Sequence, residues 1–311
     1  MQSGAYSFSN FDLESAHMAK TETPYKATAM DDYLFDLRGY LHLKNAVDLD
    51  HVKSMNKILD EFPKIQPGEW HGYVHREPIP QSRGVCLQQI YEAGEPFERL
   101  IDNPRWIELL KRYVGGEGSF DWHHGPLFID ESFSCVRGPH EAIGMHSGNA
   151  ECNKKLQYHY QCGKFMCGQI NVLLALTDIE PGDGGTMLIP GSHKANFRHP
   201  AAENLDWEKT RGMEGTEGAI EVMMKAGDAL LFVDAITHGA AERKNPGERR
   251  MVVYRYGSAW GNFRYGYIPS PELLARLNPA ARQMVYPWKH QVPPHASGML
   301  PGIAQPAMLQ A

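Results

Sequence analysis

Two histidines, His146 and His238, are the side chains of this chain best suited by type and setting to do chemistry. Both stand in strand-like surroundings, and they flank a turn reading Pro181-Gly182-Asp183-Gly184-Gly185. Two imidazoles plus one carboxylate are the usual protein face offered to a non-haem Fe(II) that activates O2. The carboxylate belongs two residues from the first histidine, where strand alternation puts both side chains on one face. That position is Gly148. A glycine there either opens a coordination position to another anion or means that the metal assignment is wrong.

Arg249 follows His238 by eleven residues and opens the next apolar run. A fixed guanidinium there would hold a dicarboxylate bidentately, better than a lysine would. Arg250 is adjacent, and alternation lets only one of the two face inward. The alternative leaves both arginines on a solvated face and His238 as a strand cap.

These side chains need elements to bring them together. Asp48 is a good N-cap for a helix with Val52, Met55 and Leu59 on its apolar face and Pro63 beyond it. A second helix is marked by Asn103 as cap, Pro104 in the first turn, a stripe from Trp106 to Tyr113, and Gly115-Gly116 as its stop. Extended signals then take over: Phe128 to Val136, Gln169 to Leu176, Thr186 to Ile189, Ala219 to Met224, Ala229 to Val233 and Met251 to Tyr256. Helices first and short strands afterwards predict an all-β core with flanking helices, a sandwich or barrel of which a jelly roll is the economical form. The order histidine, several strands, histidine, arginine is how such a fold gathers distant residues at one mouth. Residues 1–27 read as a flexible arm and 28–268 as a single jelly-roll domain. Residues 269–311 read as a helix near Pro271 to Met284 followed by a Pro-rich tail.

A formal net charge of −6 argues against nucleic-acid partners. No run of about 18 apolar residues suggests a membrane span, and the N-terminus lacks a secretion signal. Five cysteines without a CxxC pair suit reduced thiols in a cytoplasmic protein, with a zinc site on Cys162 and Cys167 as the sharper alternative.

Several segments together resemble the phytanoyl-CoA dioxygenase family. They are Leu34 to Pro63, Ile101-Asp102-Asn103-Pro104, Ala175-Leu176-Thr177-Asp178 with the Gly-rich turn, Ile189-Pro190-Gly191-Ser192-His193-Lys194, and Ala226 to Phe232 leading to His238. The resemblance spans roughly Asp31 to Tyr256. It implies a double-stranded β-helix, a cupin-like jelly roll, with one Fe(II), O2 and 2-oxoglutarate. It also implies iron ligands at His146 and His238, and Arg249 on the distal carboxylate of 2-oxoglutarate. Gly148 falls where the family has its acid. In the wider group that replacement marks radical halogenases, whose iron takes chloride or bromide in the freed place. The expected activity is therefore oxidation of an aliphatic C–H bond of a small molecule, by hydroxylation or halogenation.

Other residues compete for roles. Glu151 and Asp130 are the candidates to replace the missing acid, and His159 stands as an alternative first ligand. His193 reads as a structural turn residue, while Asn171 and Gln169 stand on an otherwise apolar strand and could reach the 2-oxoacid or simply bind each other's surroundings. His123, His124, Trp260, Phe263 and Arg264 are candidates for the mouth of the site. Two rival functions remain: a non-catalytic jelly-roll binding protein, and a zinc hydrolase with a third histidine.

Overall fold

The computed structural model describes residues 23–80, 83–114, 125–151, 158–202, 212–258 and 266–287. Its N-terminal helices are α1 (Ala29–Arg38), α2 (Leu49–Glu61), α3 (Glu95–Glu98) and α4 (Ile107–Tyr113). The strands follow as β1 (Tyr40–Leu43), β2 (Trp70–His71), β3 (Val74–Arg76), β4 (Val85–Gln88), β5 (Phe128–Arg137), β6 (Ile143–His146) and β7 (Tyr158–Gln161). Next come β8 (Lys164–Cys167), β9 (Gln169–Ala175), β10 (Thr186–Leu188), β11 (Ile220–Val222), β12 (Ala229–Val233), β13 (His238–Ala240) and β14 (Arg249–Gly257).

Eight strands pair in the order β1-β12-β9-β14-β5-β4-β3-β2, and four in the order β11-β10-β13-β6; β7 and β8 form a separate hairpin. The crossovers between non-consecutive strands, all antiparallel where paired, are those of the jelly roll. In the larger sheet β9, β12 and most of β14 are buried on both faces. One face meets the helices and the other meets the smaller sheet, so the runs are nearly continuously hydrophobic.

The α2 N-cap is the expected one, with Asp48 accepting from the His51 amide at 2.8 Å. The second expected helix starts later than its Asn-Pro signal. Asn103 Oδ1 accepts from the Arg105 amide at 2.8 Å, an Asx turn, and Trp106 at φ −132° delays α4 to Ile107. Helix α1 was not foreseen. Thr28 and Asp31 form a capping box there, and Phe35 stacks on Tyr113 with ring centroids 4.2 Å apart.

The described part of the N-terminal arm is docked, since the Tyr25 amide donates to Pro104 O at 2.9 Å and its hydroxyl to Asp31 Oδ1 at 3.0 Å. The C-terminal helix is two helices, α5 (Pro271–Arg276) and α6 (Pro279–Val285). Ser270 and Asn278 cap them separately, and Pro279 has no N–H with which to continue the first. Residues 1–22 and 288–311, most of the expected arm and tail, lie outside the described residues.

Candidate active site

His146 ends β6 and His238 begins β13, and the two are direct cross-strand partners with ring centroids 4.1 Å apart. Each ring is tied in the same way. Nδ1 of His146 meets Gly144 O at 2.9 Å, and Nδ1 of His238 meets Ile236 O at 2.8 Å. A carbonyl only accepts, so Nδ1 carries a proton in both rings, and in the neutral form of such a ring the lone pair sits on Nε2. Anchoring one ring nitrogen on a backbone carbonyl is how a metal-binding histidine is oriented. Burial, then the neighbouring His238, push His146 down to about 3, so the ring is neutral at ordinary pH.

Both rings face a cavity of about 340 Å³ between the two sheets, walled also by Glu131, Arg137, Asn171, Thr186 and Arg255. On β14, Met251, Val253 and Arg255 point into it, and Arg249 shares their parity. Arg249 is buried: Nη1 donates to Gly184 O at 2.6 Å, and Nη2 to Thr186 Oγ1 at 2.9 Å. It therefore stands at the end of the cavity behind Thr186. Arg250 points outward to Asp60 and Glu248, at 2.6 and 2.8 Å. Alternation has separated the two arginines as strand geometry requires.

Gly148 has φ +128°, in the half of backbone space that favours glycine, and a Cβ there would stand 2.9 Å from Thr237 Oγ1. This position is thus not a strand site that merely lost its acid. A second cavity, of about 370 Å³, lies on this side of His146 and is lined by Gly148, Asn149, Pro190, Phe197 and Thr237. His146 lines both cavities.

Of the two amides expected at the cosubstrate, Asn171 lines the first cavity but donates to Asp234 Oδ1 at 2.7 Å, and its Oδ1 has no hydrogen-bond partner. Gln169 is outside the lining and donates to Asp130 Oδ2 at 2.9 Å. Asp130 is the extra residue of the bulge between β5 and β14 and does not reach the histidines' cavity. His159 is exposed on the β7–β8 hairpin opposite Met166, which takes it out of both the core and the site. His193 is buried, with Nε2 on Asp36 O at 3.0 Å, a structural contact.

Cys162 is exposed and Cys167 buried. Among the described residues no group of three or more His, Cys, Asp or Glu side chains gathers to hold a metal. The Glu151 side chain, Cys152, His123, His124, Trp260, Phe263 and Arg264 lie outside the described residues.

The sequence reading missed a buried polar strip across the cavity floor. Arg255 pairs with Glu131 at 2.9 Å and with Asp234 at 3.2 Å, and Gln88 donates to Glu131 at 2.8 Å. It also missed Arg137. Alternation along Ile129, Glu131, Phe133, Cys135 and Arg137 was the available signal, a charged residue at each of two positions on an otherwise inward face.

The phytanoyl-CoA dioxygenase family model matches residues 35–251. The dioxygenase cdmD of Talaromyces verruculosus is 22% identical over 299 residues, covering 86% of this chain and 87% of that protein. The ectoine dioxygenase of Streptomyces coelicolor is 23% identical over 258 residues, covering 76% and 80%. Among solved structures, HygX from Streptomyces hygroscopicus with nickel and 2-oxoglutarate bound superposes with a TM-score of 0.61 at 23% identity. It covers 80% of this chain and 94% of its own, and has the same fold. The match spans both paired histidines and the inward arginine: this chain belongs to the phytanoyl-CoA dioxygenase family, whose members are Fe(II)- and 2-oxoglutarate-dependent dioxygenases.

Proposed function

We propose that this chain oxidises an aliphatic C–H bond of a small-molecule metabolite, with Fe(II) held by His146 and His238 and 2-oxoglutarate anchored at its distal carboxylate by Arg249. The observation that carries the reading is the paired orientation of the two imidazoles, each with Nδ1 donating to a carbonyl two residues before it. Two imidazole nitrogen donors on adjacent strands suit Fe(II). When bound, the iron supplies O2 activation coupled to decarboxylation of the 2-oxoacid.

The chain's own residues do the rest. Arg249, with Thr186 beside it, orients the dicarboxylate along the charged cavity. The less charged cavity on the Gly148 side takes the organic substrate, and its size suits a small molecule. The strip formed by Arg255, Glu131, Asp234 and Asn171 fixes the wall beneath the rings. Gly148 supports a second outcome at the same centre. With no carboxylate side chain at that position, a halide can take the place beside His146, and halogen transfer then competes with hydroxylation.

Fe(II)-dependent formation of succinate from 2-oxoglutarate tests the reading. It should vanish in His146→Ala and His238→Ala. Halide-dependent gain of chlorine or bromine in the product would assign halogenation, whereas halide-independent gain of oxygen would assign hydroxylation. Absence of Fe(II)-dependent 2-oxoglutarate consumption under all conditions would instead leave a binding protein.

A further inference from the structure

Arg137 and Arg249 are direct partners across β5 and β14, and both are buried. Among the described residues neither guanidinium has a carboxylate partner. Arg137 Nη1 and Arg249 Nε have no hydrogen-bond partner among the described residues. The acids that share the cavity wall are already engaged, Glu131 by Arg255 and Gln88, and Glu77 by Gln88. Arg137 lines the cavity directly, while Arg249 stands behind Thr186.

The Arg137 stem is fixed. Gly84, at φ +92°, lets it lie against β4, where a Cβ would come within 2.9 Å of Arg137 Cγ. Burial, and then the facing Arg137, lower Arg249 to about 9, with Cys135 and Glu221 acting in the opposite sense. Two buried cations so arranged are costly unless an anion lies between them.

We propose that Arg137 is a second anchor for the distal carboxylate of the cosubstrate, shared with Arg249, and that the pair makes the site selective for a dicarboxylate 2-oxoacid over a monocarboxylate one. The assignment rests on the 2-oxoglutarate reading above and adds to it a residue and a selectivity. Arg137 is a positioning residue: it touches the end of the cosubstrate remote from the reacting carbon. Arg249 already gives Nη1 to Gly184 O and Nη2 to Thr186 Oγ1, so a second guanidinium on the neighbouring strand supplies the further donors, and the carboxylate between them offsets the repulsion of the two cations.

The test uses the full chain with Ni2+ as a redox-inert metal. Affinities for 2-oxoglutarate and for 2-oxobutyrate are measured by calorimetry, and melting temperatures with and without ligand, for wild type, Arg137→Gln, Arg137→Lys and Arg249→Gln. Wild type should prefer 2-oxoglutarate strongly. In Arg137→Gln the 2-oxoglutarate affinity should fall by about 10- to 100-fold while that for 2-oxobutyrate stays put. Its unliganded melting temperature should stand at or above that of wild type, because a buried like charge has gone. Arg137→Lys should fall between the two.

Wild-type 2-oxoglutarate affinity in Arg137→Gln, equal losses for both ligands, or a large drop in unliganded stability in both Arg137 variants would each overturn the assignment. Loss in Arg249→Gln with retention in Arg137→Gln would sink it while sparing the cosubstrate reading. No response of the wild type to 2-oxoglutarate would sink both.

Discussion

Replacing Gly148 by alanine adds one methyl group next to His146, and its cost can be worked from the local backbone. At φ +128° a residue with a Cβ is strained by about 1–3 kcal/mol. The new Cβ would also stand 2.9 Å from Thr237 Oγ1, closer than a real contact allows, so Thr237 must shift. Together these terms predict a destabilisation of roughly 2–3 kcal/mol, a fall of about 4–10 °C in melting temperature by the usual scaling for a domain near this size.

Differential scanning fluorimetry of Gly148→Ala, Thr237→Ala and the double variant separates the parts. The second substitution should return the contact portion and leave the backbone portion. Gly148→Asp should behave like Gly148→Ala, or worse. Where backbone tolerates it, glycine to alanine stabilises by about 0.4–1 kcal/mol through the unfolded chain. A neutral or stabilised Gly148→Ala would therefore refute the reasoning, and would mean that position 148 is an ordinary strand site to which an acid could simply be restored.

Other expected outcomes follow from the same geometry. Arg249→Gln should weaken 2-oxoglutarate binding by about 10- to 100-fold, while Arg250→Gln, whose partners are exposed, should leave it unchanged in the same titration. Asp234→Ala, which leaves half-buried Arg255 with Glu131 as its remaining carboxylate among the described residues, should lower the urea midpoint by the equivalent of about 3 kcal/mol.

Burial holds His193 at about 4, below its usual range, and a proton added to its Nδ1 would find no acceptor among the described residues. The unfolded chain takes up that proton first. The contribution of His193 is thus complete above about pH 6.5, falls as pH drops from 6.5 toward 4, and amounts to on the order of 3 kcal/mol. Denaturation at a series of pH values should show His193→Gln with a shallower loss over that interval than wild type.

What could be read in the chain, and what could not, divides along physical lines. The long central strands were plain because an element buried on both faces is written as an unbroken run of Val, Ile, Leu and Phe, as in Ala229 to Val233. The edges were not: Tyr40 to Leu43 and Val85 to Gln88 are four-residue strands, too short to show a period, and each is fixed by its partner in the sheet rather than by its own sequence. Likewise Asn103 and Pro104 gave an honest helix-start signal that the Asx turn at Arg105 consumed before α4 began.

At the proposed site, His146, His238 and Arg249 stood out by their order along the chain, histidine, several strands, histidine, arginine, which a jelly roll gathers at one mouth. That the two rings are direct cross-strand partners was not legible, since register depends on loops whose lengths carry no such information. Gln169 failed as a cosubstrate contact for a related reason. It lies on the same face of β9 as Asn171 but one pair further along, where the bulge at Asp130 supplies it with a partner.

The central claim is that His146 and His238 together hold iron. Anaerobic addition of Fe(II) and 2-oxoglutarate should produce the visible charge-transfer absorption of a 2-oxoacid chelated to iron. The band should appear in wild type and in His159→Ala, and be lost in both His146→Ala and His238→Ala. Its persistence in either of those last two variants, or its absence from the wild-type protein, would contradict the account.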